Sequence, residues 1–282
     1  MSIWNKNIFI LDKLTKIIFR LIFFCMIIAF LQMFNLSVVM CENEPELITD
    51  RPDVTESATV VPMKTLQIES GFVYESILRS PSQDLTLITF NSTLLRYGVS
   101  KSIELRLGFE YLGSYNNNKI LMSEVNDIGT GPLYLGMKIQ VTKENRWVPE
   151  IAAIPGLILP FTAYRPFQSD YIEPELVLSF SNTLKDWLSL GYNIGSVYFY
   201  EDKSFLFSYS IALGAELPEN FGTYIELNSY FSSKSNATHY FNGGIVFLPV
   251  YNLQLDLSGG FGLNSSSSDF HWGFGFSWRI PE

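Results

Sequence analysis

Charged side chains are scattered over the alternate positions that interleave the apolar runs of this chain. Glu69, Arg96, Glu104, Arg106, Glu110, Glu226 and Asp256, with Glu75, Lys138 and Arg279, all sit in such runs. Carboxylates and guanidinium groups gathered on one inner surface could select among ions or solutes. They could equally pair with one another and fill a narrow cavity, and both readings stand. A second set, Asp50, Arg51, Asp53 and Glu56, lies among Pro45, Pro52 and Pro62, where no alternation runs. It reads as a short plug whose Arg51 and carboxylates pair with inner charges such as Arg96, Glu104 and Arg106. The plainer reading is a loose tether ahead of the first strand.

Other chemistry finds little material. His239 and His271 are the only histidines, neither belongs to a His-x-Ser pair, and Gly-x-Ser-x-Gly does not occur. A nucleophilic hydroxyl needs a base and an orienting third group, so catalytic residues are not expected. Two histidines, and no cysteine beyond Cys41, cannot build a zinc cage, and there is no glycine-rich phosphate loop. No metal and no cofactor is expected. With 19 Lys+Arg against 28 Asp+Glu, the net charge of −9 argues against nucleic acid as a partner.

The elements that must carry the inner charges are strands. Ile103, Leu105, Leu107, Phe109 and Tyr111 alternate with Glu104, Arg106, Gly108 and Glu110, and Phe270 to Ile280 alternates in the same way. Successive strand side chains point to opposite faces, so each run is a ribbon with one apolar side. The second side is Gly, Ser, Asn and Gln with scattered charge, unlike the Lys-rich outside of a soluble sandwich. The runs also exceed the ~5–6 residues of an average strand and reach the ~9–11 that a tilted strand needs to cross a bilayer. Charge on a lipid face costs up to ~2–4 kcal/mol for Arg or Lys at the midplane, so the charged side must be the inner one. Tyr74, Tyr97, Tyr111, Trp147, Trp187, Tyr198, Tyr200, Tyr230, Tyr251 and Trp278 sit near segment ends, as interfacial girdles do.

The expectation is an all-β, transmembrane, antiparallel up-and-down β-barrel of about twelve strands over residues 65–282, with a short extended N-terminal segment. The least regular strands are the fourth to sixth, placed at 131–142, 146–162 and 172–180, with a loop at 115–130. Pro149, Pro155 and Pro160 interrupt the fifth. The Pro155-Gly156 and Pro160 kinks are either an opening through the wall or ordinary shaping bulges.

Residues 1–41 read as a signal peptide: Lys6, Lys13, Lys16 and Arg20 precede an apolar run from Leu21, and a polar, acidic stretch follows Cys41. Two alternatives are a lipidated Cys41, although Val38-Val39-Met40 makes a poor lipobox, and an uncleaved helix over 21–40. Residues 42–64 then form a periplasmic or plug segment.

Ile48-Thr49-Asp50-Arg51-Pro52-Asp53-Val54-Thr55-Glu56, followed by Leu66-Gln67-Ile68-Glu69-Ser70-Gly71-Phe72, resembles the opening of a bacterial outer-membrane family. That family is named after the MetA pathway of phenol degradation, and its members are labelled transporters. Leu95-Arg96-Tyr97-Gly98, Ile103-Glu104-Leu105-Arg106 and Gly273-Phe274-Gly275-Phe276-Ser277-Trp278-Arg279 extend the resemblance. It implies a channel or uptake barrel in the bacterial outer membrane for small solutes, among them hydrophobic or aromatic ones. The alternatives are a plugged, non-conducting barrel whose outer loops bind a ligand or partner and, third, a barrel lipid hydrolase. Expected partners are outer-membrane lipid, the solute and the barrel-assembly machinery, whose signal Gly275, Trp278 and Ile280 resemble.

Overall fold

The computed structural model describes residues 45–80, 83–118 and 123–280; the leader expected over residues 1–41 lies outside them. Thirteen strands follow in order: β1 Leu66–Ser80, β2 Gln83–Ser100, β3 Ile103–Asn118, β4 Ser123–Thr130, β5 Leu133–Thr142, β6 Glu150–Leu159 and β7 Glu173–Lys185. The remainder are β8 Leu188–Phe199, β9 Ser204–Leu217, β10 Phe221–Ser232, β11 Thr238–Val250, β12 Leu253–Gly262 and β13 Phe270–Ile280. Each pairs antiparallel with its neighbours, and β1 closes on β13 from Leu66↔Ile280 to Ser76↔Phe270. Twelve strands thus form a closed ring, leaving no sheet edge inside a bilayer, where unpaired backbone groups would be costly.

The outcome of the alternation is inside-out. On β3, Glu104 is 0% and Arg106 4% exposed, while Leu107 and Phe109 are 36% and 41% exposed. Cross-strand partners share a face, so the register transmits this polarity round the ring: Arg96↔Arg106, Glu104↔Lys138, Glu226↔Asn242 and Asp256↔Gly275 all point inward. Among the described residues no helix is long and apolar enough to span a membrane.

The periplasmic connections are tight. Between β9 and β10, Glu219 and Asn220 both take positive φ (64° and 62°), and the Phe221 amide donates to the Pro218 carbonyl at 3.4 Å. Two consecutive left-handed residues make the turn whose twist suits a hairpin.

Two expectations are corrected. Residues 115–130 are not a loop: β3 runs on to Asn118, and β4 pairs with it from Tyr111↔Thr130 to Asn118↔Ser123. This thirteenth strand stands outside the ring, because β6 has already left the sheet at Pro160 and turns through two 3-10 segments, Pro160–Thr162 and Arg165–Phe167. The fifth expected strand is shorter than 146–162. Pro155 does not shift it: the β5–β6 ladder passes from Gly136↔Gly156 to Ile139↔Ala153 in one register, and Pro155 stays opposite Leu176 of β7. The chain departs from the wall only at Pro160, where a second imide without an N–H, Pro166, follows closely.

Candidate functional site: the filled lumen

Arg96 of β2 and Arg106 of β3 are direct cross-strand partners, and Lys138 of β5 lies one residue pair away, opposite Glu104. Like charges opposite one another repel. The wall supplies part of the compensation, with Arg96 2.8 Å from both Glu69 and Glu104. The rest comes from outside the wall. Asp50, in the segment ahead of β1, lies 2.7 Å from Arg106, 2.8 Å from Lys138 and 3.2 Å from Arg96. Burial raises the Asp50 carboxyl, but Arg96, Lys138 and Arg106 outweigh it and hold the group well below the usual carboxylate range.

The segment continues across the lumen. Arg51 makes a two-pronged pair with Asp256 of β12, at 2.9 and 3.2 Å. Its guanidinium occupies the space above Gly71 and Gly275, which face each other across β1 and β13. A Cβ added to either glycine would lie within 2.4 Å of Arg51 Nη2, so the two glycines make the seat. On the far side, the Val54 and Thr55 amides and the Thr55 hydroxyl donate to the Glu226 carboxylate of β10 at 3.0, 2.7 and 2.6 Å. The Ser179 hydroxyl of β7 donates to the Glu56 carbonyl, and the Thr59 hydroxyl to Glu150 of β6. The Val61 amide then donates to Glu104 at 2.7 Å. At the periplasmic end, Arg279 of β13 donates to the carbonyls of Pro45 and Glu46. The proline-rich sequence explains this mode of attachment: a chain without its own ladder must offer its backbone groups to side chains of the wall.

Of the residues singled out in the sequence, Glu69, Arg96, Glu104, Arg106, Glu226 and Asp256 are brought together with Asp50, Arg51 and Glu56. Glu56 lies 2.9 Å from Arg106, and its carboxyl is raised by burial, against the opposing pull of that cation. Glu110 and Asp53 stand apart from the ion pairs. Glu110 sits higher on β3, while Asp53 is raised well above its ordinary value by burial and then by Glu226. Sequence reading missed the neutral members: Gln67 donates to the Ile48 carbonyl, Gln254 to the Arg51 carbonyl, and Ser210 accepts from Thr55. Their positions share the inward parity of Glu69, Asp256 and Ala212, which was the available signal.

A closed twelve-stranded ring, apolar outside and charged inside, with a chain segment hydrogen-bonded across its lumen, defines a bacterial outer-membrane β-barrel. The chain belongs to the family described as "Putative MetA-pathway of phenol degradation", which matches residues 49–280. In fold it is similar to an outer membrane channel from Pseudomonas putida F1, with a TM-score of 0.61 and 12% identity, covering 79% of this chain and 98% of that one. The monoaromatic hydrocarbon channel CymD matches at TM-score 0.44 and 12% identity, over 78% of this chain and 90% of that one. The toluene transporter TbuX from Ralstonia pickettii matches at 0.45 and 10%, over 77% and 90%. A comparison with curated proteins finds no match.

Proposed function

We propose that this chain is an outer-membrane channel or uptake protein for small solutes, hydrophobic or aromatic ones in particular, and that residues 42–64 are its plug. The observation that carries the reading is the mode of docking. Apart from the bridge between Met63 and Gly98, the segment is held across the lumen by ion pairs and by hydrogen bonds to inward side chains. These contacts are buried, so parting the charged ones is costly, but none of them belongs to the strand pairing that closes the ring. A segment so attached can shift without opening the ring. The family's description supports aromatic solutes as the cargo. Deleting residues 42–59 and recording single-channel conductance in planar bilayers tests the plug. A rise is expected, and an unchanged conductance removes it.

The binding alternative draws on β3 and β4, which project beyond the ring as a hairpin at the outer end. The lipid-hydrolase reading draws on Ser229, whose Oγ lies 2.7 Å from His239 Nδ1. Ser229 is only 3% exposed, so its hydroxyl offers no approach to an ester, and the pair reads as a cross-strand hydrogen bond between β10 and β11. Absence of lipid hydrolysis by purified protein is the expected result.

A further inference from the structure

One inner row of the wall runs Glu226, Asn242, Gly260, His271, Glu75 across β10, β11, β12, β13 and β1. Cross-strand partners share a face, so all of these positions look into the lumen. The middle one carries no side chain, and two polar atoms stand over it. A Cβ added to Gly260 would collide with Asn242 Oδ1 and lie 2.7 Å from His271 Nε2. Gly260 and His271 are only half-buried, so the gap is not sealed.

The amide that overhangs the gap is held from behind. Asn242 is 4% exposed, and its Nδ2 donates to Glu226 at 2.7 Å and to Asn228 at 2.8 Å. An ionised carboxylate can only accept, which fixes the amide with its nitrogen toward Glu226 and its oxygen over Gly260. That oxygen has no hydrogen-bond partner among the described residues. With the imidazole proton on Nδ1, His271 Nε2 is an acceptor too. Two acceptors over one glycine call for a donor between them.

The surroundings choose its charge. Glu226 and Glu75 end the row, and no Lys or Arg belongs to it. Tyr240 packs beside His271, with ring centroids 6.1 Å apart, and Tyr230 meets Tyr240 edge to face at 6.4 Å. Carboxylates and aromatic rings together favour a cation. Hard metal ions want six or more oxygen ligands, as Ca²⁺ does, and an imidazole is not one of them. Among the described residues no three His, Cys, Asp or Glu side chains gather to hold a metal. An ammonium group, with three N–H donors, suits two directional acceptors in a negative field.

We propose that the gap over Gly260 is a binding site for the primary ammonium group of a small organic amine. Two N–H groups donate to Asn242 Oδ1 and His271 Nε2. Glu75, the register partner of His271, supplies counter-charge, while Glu226 is already occupied by Val54, Thr55 and Asn242 and acts through its charge alone. The site goes beyond the uptake reading and stands whether or not the amine crosses the barrel.

n-Propylammonium is the probe, titrated near neutral pH into the detergent-purified full chain and followed by ligand-observed NMR. The native barrel should bind it, and Gly260→Ala, whose methyl group takes the place of the amine nitrogen, should lose it. His271→Phe keeps a ring but removes an acceptor, so binding should weaken at least about tenfold, the scale of one hydrogen bond from a charged donor. His271→Gln restores an acceptor and should bind more tightly than His271→Phe. Tetramethylammonium has the same charge and no N–H, and should bind at least about tenfold more weakly than propylammonium. Equal binding of the two cations overturns the proposal, since a negative field alone would explain it. Unchanged binding in His271→Phe overturns it as well, by placing the amine elsewhere. No binding to the native barrel at millimolar probe leaves the gap to a shared water molecule, and displacement of the amine by nickel ion makes it a metal site; either result overturns the assignment. Should Gly260→Ala fail to fold, the two cations on native protein and the His271 pair still decide.

Discussion

Two parts of the inner wall are built on different principles. In one, Arg51, Arg96, Arg106 and Lys138 meet Asp50, Glu56, Glu69, Glu104 and Asp256 in a nearly continuous set of ion pairs. In the other, the inner face is tyrosine and glycine, with Tyr134 over Gly136 and Gly156 and Tyr224 over Gly244. The contrast shows where each side chain's partner comes from. In the tyrosine layer, wall packs on wall. The charged layer is incomplete without the N-terminal segment, since two of its arginines face each other and Glu226 has Asn242 and Ala212, not a cation, as register partners.

The sharpest way to break this comparison is Asp50→Ala. It leaves Arg96, Arg106 and Lys138 facing one another, and stranding buried charge costs about 3–5 kcal/mol. Denaturant unfolding in detergent reports the loss, and conductance should rise as the segment undocks. A wild-type profile would mean the wall neutralises itself. Next comes the outer surface. Phe274→Arg, on the lipid face near the middle of β13, should cost ~2–4 kcal/mol in refolding into bilayers, whereas Ser258→Arg on the lumen face of β12 should cost far less. Equal penalties would reverse the assignment of faces.

Glu226→Gln is a milder probe. It keeps an acceptor for Val54 and Thr55 but removes the charge that strengthens those bonds. A hydrogen bond to a charged group is worth ~1.5–3 kcal/mol and a neutral one ~0.5–1.5, so a loss of about 1–2 kcal/mol in segment docking is expected. A spin label at Val54→Cys, in a background lacking Cys25 and Cys41, reports docking as immobilisation. Ser210→Ala should be smallest, near ~1 kcal/mol for the bond to Thr55 by the same probe.

That label also reads the pH dependence. Asp53 and Glu56 are raised in the docked segment, so their penalty acts above their docked pKa values and fades as pH falls through them; docking should tighten on mild acidification. Asp50 is held low, so its contribution is complete above the ordinary value of ~3.9 and is lost as pH falls through the docked value. Immobilisation should therefore rise and then collapse. A steady decline from neutral pH would show that Asp53 does not face Glu226 when docked.

Period-two alternation was enough to place most of the ring strands and the inward parity of Glu69, Arg96, Glu104, Arg106, Glu226 and Asp256, because a strand's two faces meet two different solvents. Alternation also identified 115–130 poorly: Asn116, Asn117 and Asn126 look like loop residues, and a strand outside the bilayer has no apolar face to betray it. Pairings such as Asp50 with Lys138, or Arg51 with Asp256, join residues 88 and 205 positions apart.

The sequence alone determined the architecture, the face each strand turns to lipid, and the presence of a proline-rich charged segment ahead of β1. Only the tertiary structure decided that this segment crosses the lumen as the counter-ion of Arg96 and Arg106, and that Gly136 and Gly156 lie side by side. The reason is register: which residues stand opposite one another depends on how twelve strands are staggered around a closed ring, and no single strand encodes that stagger.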